Sequence, residues 1–256
     1  MESQPDLQNM QNIMKKSYPP GEIKARREKI SSDLLTKSEQ IKDSSIRAIS
    51  NTDLSFLFGL YDRIFLEDWF AQNYRGEIAF SLSRRMTKSA GKTLFRRSED
   101  PVRPEEMQIE IRIGVDFFFQ YDAVEGSKTV CGIRTDSALE ALQLVFEHEL
   151  CHVIEFVLFG KSSCSGQRFR TFANRLFGHT ESCHRLPTQR QIADRKFGLR
   201  IGDAVTFAAG EMELSGILAN INKRATVLVK DPEGDFIDRR GNRYKKYYVP
   251  LPLLKH

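Results

Sequence analysis

From Leu139 to Phe159 the chain is almost continuously apolar and contains neither glycine nor proline, yet His148-Glu149-Leu150-Cys151-His152 sits in the middle of the run. An apolar stretch of this length without breakers reads as a buried helix. Residues four apart share one face of a helix, so both imidazoles can point at one metal ion. Glu149 lies beside them, placed to take a proton from a water that the metal activates. Two histidines can also fall four apart by chance and simply pack in a core. The buried-helix context, in a chain with only five histidines, favours the metal.

The 256 residues suffice for one medium domain and a small one. No apolar run approaches the ~18 residues needed to span a bilayer, so no membrane partner is expected. Met1-Glu2-Ser3-Gln4-Pro5 lacks the basic and apolar regions of a secretory leader. Cys131, Cys151, Cys164 and Cys183 form no CxxC pair, and a reduced, cytoplasmic protein is the simplest expectation. The net charge of +5 is compatible with nucleic acid without indicating it. Neither end of the chain is a basic tail.

Four segments are expected. Residues 1–50 are polar and interrupted by Pro19-Pro20, as a frayed or partly helical extension with a solvated helix near Gly21 to Arg47. Residues 51–186 hold the main domain. Phe56, Leu57, Leu60, Tyr61, Ile64, Phe65 and Trp69 recur at helical spacing and predict an amphipathic helix over Leu54 to Tyr74. Strand signals follow at Ile78–Leu82, Thr93–Arg97 and Gln108–Ile113, with a turn at Pro101–Pro104. A short helix and a loop around Gly126 lead to the metal helix, Ala138 to Phe159. A polar turn and a second helix, Gln167 to Phe177, come next, with Ser165 as its expected N-cap. Residues 187–197 read as a linker. Residues 198–256 offer strands at Gly202–Phe207, Leu214–Ile221, Ala225–Lys230 and Tyr244–Val249, the pattern of a small SH3-like β-barrel. The class is α+β.

A catalytic zinc ordinarily takes three protein ligands and keeps one position open. Beyond His148 and His152, the candidates are Glu155, Cys164, His179 and His184. A tight turn after Gly160 sends the second helix back antiparallel, which brings His179 level with the motif and leaves Cys164 at the far end of the hairpin. His179 is therefore the expected third ligand, with His184 in reserve. Glu155, seven residues from His148 on the same helix, is expected to support the site or to face solvent.

Several further stretches resemble the SprT-like family of zinc metallopeptidases, which includes the protease Spartan. They are Leu60-Tyr61-Asp62 with Ile64-Phe65, Phe80 to Thr87 with Ala90-Gly91-Lys92-Thr93, Ile109-Glu110-Ile111, and Leu142 to Glu147 leading into the HExxH motif. The resemblance spans roughly Ser55 to His184. It implies a zincin-like domain with a small sheet, one catalytic Zn2+, a protein substrate hydrolysed with Glu149 as general base, and an association with DNA-bound protein. It also implies a first hairpin formed by the Phe80 and Thr93 strands. Two departures stand out. Many relatives place a third histidine before a glycine, four residues ahead of a phenylalanine; here the stretch reads Ser165-Gly166-Gln167-Arg168-Phe169. The family's frequent C-terminal zinc ribbon is replaced by the β module. The alternative to an enzyme is thus a non-catalytic protein with a degenerate metal site that binds nucleic acid or another protein. Arg85 and His184 are conceivable helpers for a developing oxyanion.

Ser89-Ala90-Gly91-Lys92-Thr93 ends like a phosphate-binding loop, but Met86 stands where that loop needs its first glycine. In the C-terminal module, Lys223 and Arg224 precede an alternating strand, while Lys245 and Lys246 interleave with tyrosines. These four cations suit phosphate contact beside base stacking. The same composition suits strand packing with lysines guarding an edge.

Overall fold

Ile23, Ile30 and Leu34 recur at spacings of seven and four, which puts them on one face of a helix. In a computed structural model, which describes residues 10–96 and 108–256, all three are buried in α1 (Pro20–Lys37). Proline opens α1, where its missing N–H costs nothing. The helix expected to run to Arg47 as a solvated element thus ends at Lys37 and turns one face inward. Ile41 and Ile46 continue the burial beyond it. The chain divides into two compact units, Met1–Leu186 and Pro187–His256, so the N-terminal segment belongs to the first unit.

Helix α2 (Asn51–Tyr61) starts at a reciprocal cap between Ser50 and Asp53. A π-helical turn over Asp62–Leu66 follows, and then Glu67 and Asp68 adopt left-handed φ values of 57° and 59°. The Asp62 carboxylate accepts the N–H groups of Phe70 (2.9 Å) and Ala71 (3.1 Å) and so opens α3 (Trp69–Asn73). One continuous helix was expected here. An interior carboxylate capping a second helix explains the break.

Strands β1 (Glu77–Ser83), β2 (Gly91–Arg96) and β3 (Gln108–Gly114) form a sheet of order β1-β3-β2. β3 pairs parallel with β1 and antiparallel with β2, so β1 and β2 are not the hairpin that the resemblance implies. The alternation in β3 explains its central place: Ile109, Ile111 and Ile113 are fully buried on one face, while Glu110 and Arg112 pair on the other. Among the described residues β2 is left as an edge. The Pro101–Pro104 turn lies outside the described residues.

After α4 (Asp116–Phe119) come β4 (Lys128–Val130) and β5 (Ile133–Thr135), joined by a two-residue turn. Helix α5 (Ala138–Phe159) has the limits read from the sequence. Ser137 caps its start and Gly160, at φ 63°, ends it. Helix α6 (Gln167–Phe177) begins at Gly166 without a side-chain cap, so Ser165 is not its N-cap. The short β6 (His184–Arg185) then returns to pair with β4. Nothing in the sequence reading anticipated β4, β5 or β6, which are too short to show a period.

The second unit opens with α7 (Gln189–Phe197), where a linker was expected. Thr188 and Gln191 form a capping box at its start, a Thr-x-x-Gln signal that the sequence does carry. β7 (Ala204–Ala209), β8 (Met212–Ile221), β9 (Arg224–Lys230), β10 (Phe236–Ile237) and β11 (Arg243–Pro250) form an antiparallel sheet of order β10-β11-β9-β8-β7. Past a 3-10 turn at Leu251–Leu253, Lys255 exchanges two backbone hydrogen bonds with Thr206 of β7, at 2.9 and 3.0 Å. The end of the chain therefore covers the β7 edge. Val205, Phe207, Leu218, Val227 and Val249 fill the interior of this unit. No helix among the described residues is long and apolar enough to cross a membrane.

Burial of α1 has a measurable consequence. Leu34→Ala is expected to lower unfolding free energy by about 2–5 kcal/mol in chemical denaturation, as for any fully buried leucine. A change below about 0.5 kcal/mol, the range of surface substitutions, would mean that α1 is an appendage.

Candidate metal centre

His148 and His152 lie one turn apart on α5, with their Nε2 atoms 3.2 Å apart. Two nitrogens bound at ~2.0–2.1 Å to one tetrahedral ion are separated by about 3.3 Å. The pair therefore has the spacing that a shared cation requires. The tautomer of His152 follows from its neighbours. Ser162 Oγ donates its single proton to Glu155 Oε2 (2.7 Å), so it can only accept from His152 Nδ1 (2.6 Å). His152 thus keeps its proton on Nδ1 and a bare lone pair on Nε2, as a ligand must. Glu155 is itself held by Arg168 Nε at 2.6 Å. Burial pushes His148 down to about 2 and His152 to about 4, so both rings are neutral at physiological pH. Phe169 packs against both rings from α6, with centroids 5.0 and 4.5 Å away.

Glu149 points into the same cleft from between the histidines. It is buried, and its Oε2 accepts the Thr93 hydroxyl at 2.7 Å. Burial raises its carboxyl to about 7, against the opposing effect of the Thr93 hydrogen bond. A base poised near neutrality suits proton transfer at physiological pH. Gly91 makes room for it: a Cβ there would fall 2.5 Å from Glu149 Oε1 and 2.7 Å from Val145 Cγ1. The glycine and threonine of the loop-like Gly91-Lys92-Thr93 stretch therefore serve the carboxylate. Both were missed as site residues because the spacing that flagged them belongs to a different chemistry. The cleft has a volume of about 470 Å³, and Lys88, Lys92, Ser162, Cys164, Cys183 and His184 also line it.

His179 is not where the hairpin argument put it. Its Nε2 donates to Glu147 Oε2 at 2.9 Å, on the side of α5 away from His152. Two groups of donor atoms within 4.8 Å of one another occur among the described residues: Cys131 with His148 and His179, and His148 with His152 and Cys164. No such group joins His179 to both motif histidines. The returning chain ends α6 at Gly178 (φ 70°) and sets His179 beside Glu147. Cys164, expected at the far end, instead reaches the cleft because the segment after Gly160 folds back along α5.

The first of these groups lies against Glu147, with His179 Nδ1 buried and without a hydrogen-bond partner. Glu147 is fully buried; Arg27 binds it through both carboxylate oxygens (2.8 and 2.6 Å), and the Tyr61 hydroxyl donates at 2.9 Å. Burial alone would raise its carboxyl, but the Arg27 guanidinium and His179 outweigh that and hold it below the usual range. Burial likewise lowers His179, so it is a neutral donor. Cys131 sits at the β4–β5 turn with φ 52°, a left-handed value uncommon for a side chain other than Asn or Asp. There its sulfur meets His148 Nδ1 at 3.6 Å. Burial raises the Cys131 thiol well above its ordinary value, so it remains protonated. Tyr61 and Glu147 fall in stretches that carry the family resemblance, but nothing in the sequence ties them to each other or to Arg27, since no motif links residues this far apart.

The SprT-like family profile matches residues 63–191, just over half of the chain. The chain belongs to the SprT-like family. No curated protein and no solved structure gives a significant match. The SprT-like match begins just after α2 and runs through the whole cleft, so every residue described around His148 and Glu149 except Arg27 and Tyr61 lies within it. Membership makes the first unit a metallopeptidase-like domain, and its donor groups are able to hold a metal ion.

Outside the match, the four cations read as a nucleic-acid patch do not share one face. Lys245 and Lys246 are neighbours on β11 and point to opposite sides of the sheet. Arg224 pairs with Pro250 and Lys246 with Leu228, which places both cations on the same side as exposed Tyr248. Lys246 Nζ also lies 4.2 Å from the Phe236 ring centroid. Lys223 occupies the β8–β9 turn.

The Glu147 network gives the second expectation. Arg27→Ala leaves a buried carboxylate without its counter-charge and is expected to cost about 3–5 kcal/mol of stability. Arg27→Ala combined with Glu147→Gln should recover much of the loss in the same denaturation assay. A single-variant cost below about 1 kcal/mol, typical of a surface pair, would show that Arg27 is not needed.

Proposed function

We propose that the first unit is a zinc-dependent endopeptidase in which Glu149 is the general base. The observation that carries this reading is a buried carboxylate facing the cleft beside two Nε2 atoms 3.2 Å apart, one of them with its lone pair fixed outward. When bound, zinc supplies Lewis acidity, making a water more acidic and a carbonyl more electrophilic. The chain's own residues do the rest. Thr93 orients the Glu149 carboxylate, which takes the proton from the attacking water and returns it to the leaving amine. His184 lines the cleft with a buried Nε2 that has no partner, and it can donate there to the carbonyl oxygen of the substrate. β2 is an edge strand whose first residues line the cleft, so an extended peptide can pair along it as an added strand. That edge supports a protein substrate, and the four free thiols support a cytoplasmic location.

Glu149→Gln should reduce peptide cleavage by at least about 10²-fold, the scale of general-base catalysis, while zinc content measured by elemental analysis stays at the wild-type level. Cleavage that survives the substitution would remove this mechanism.

For the second unit we propose an SH3-like barrel that contacts nucleic acid through one face. The strand order, the 3-10 turn before the last pairing and the Thr206–Lys255 bridge support the barrel. Exposed Tyr248 beside Lys246 and Arg224 supports stacking plus phosphate contact, and a role near DNA-associated protein substrates. Replacing Tyr248 and Lys246 by alanine together should weaken binding of a single-stranded oligonucleotide by at least about 5-fold in fluorescence anisotropy, given ~1–3 kcal/mol per stacked base. Equal affinity would leave these residues with a packing role only.

A further inference from the structure

We infer that Cys164 is the third protein ligand of the metal site, so that a thiolate replaces the third histidine. This rests on the reading that the cleft holds zinc. By the resemblance, many relatives carry that histidine one position later in the sequence, where this chain has Ser165. Ser165 is exposed and its hydroxyl pairs with Ser163 at 2.9 Å. The side chain one residue earlier turns the other way. Cys164 lines the cleft and packs against the core of the first unit. Its sulfur lies within 4.8 Å of ligand atoms of both His148 and His152, and no other described residue completes a group with that pair.

Three candidates are weaker for separate reasons. His179 donates from Nε2 to Glu147, and although its Nδ1 has no partner it joins His148 only in a group with Cys131, not with His152. Cys131 faces His148 Nδ1, whereas His152 meets His148 through Nε2. His184 has a free Nε2 and lies 5.0 Å from His148 between ring centroids, but it forms no joint group with His152. That leaves His184 on the open side of the site and Cys164 closing the third corner. Histidines and a cysteine together are an established set of zinc donors. A thiolate between two imidazoles also adds the negative charge that a divalent cation needs. The same short segment supplies Ser162, which orients His152. Residues 162 and 164 would thus hold the site together, one through a ring nitrogen and the other directly.

Cobalt substitution of the full chain tests the ligand set without relying on activity. A thiolate ligand gives cobalt(II) an intense near-ultraviolet charge-transfer band, which nitrogen and oxygen ligands do not. We expect the band in wild type and in Ser165→Ala, its loss in Cys164→Ala, and retained metal without the band in Cys164→His. A second readout is alkylation mapped by mass spectrometry. Zinc should slow modification of Cys164 by at least ten-fold while exposed Cys183 reacts at the same rate with or without the ion. Cobalt bound with no thiolate band, or a band that survives Cys164→Ala, would overturn the assignment and leave the zinc reading standing. Failure of wild type to bind cobalt or zinc would overturn both.

Discussion

Glu147 is a carboxylate with no exposure to solvent, and its neutralisation sets the position of nearly everything around α5. A charge in such a place is tolerated only when counter-charge and hydrogen bonds surround it. Arg27, Tyr61 and His179 provide them from α1, α2 and the turn after α6. These elements converge on one helical position, the residue immediately before His148. The opposite face of the same turn is then free to present His148, Glu149 and His152 to the cleft. The helix is anchored from behind by ions and looks outward with neutral rings. Separating the two faces lets six ionisable side chains share a helix segment of nine residues, Glu147–Glu155.

The outward face has its own support. His152 is aimed by Ser162, Ser162 by Glu155 and Glu155 by Arg168. Each donor in that series has a single partner it can satisfy, which fixes the ring tautomer without any ion. A ligand preset in this way loses less entropy on binding a cation. Glu149 is preset differently, by Thr93 on a neighbouring strand and by the missing side chain at Gly91.

The sequence is most legible where independent physical signals agree. Helix α5 was legible to the residue because its apolar run, its capping serine and its terminal glycine agree. The family was legible from stretches scattered around it. The polar N-terminal segment was misjudged because α1 buries only a thin stripe of three aliphatic residues under many charges, and a faint periodicity is hard to tell from solvent exposure. Strand order was invisible, since the parallel pairing of β1 with β3 depends on long-range contacts. The third donor was not legible for a geometric reason: helix lengths carry no rotational angle, and His179 lies beside Glu147, in a group with His148 and Cys131 but not with His152.

The contacts that neutralise Glu147 span 120 residues to Arg27, 86 to Tyr61 and 32 to His179. Loops of that size close slowly, and each closure must precede the reward it brings. On a ribosome, the emerging chain makes Arg27 and Tyr61 long before Glu147, and His179 last. The charged centre of α5 cannot be satisfied until residue 179 has left the exit tunnel. The full set of partners for the centre of the histidine helix therefore exists only once both ends of the first unit have been made.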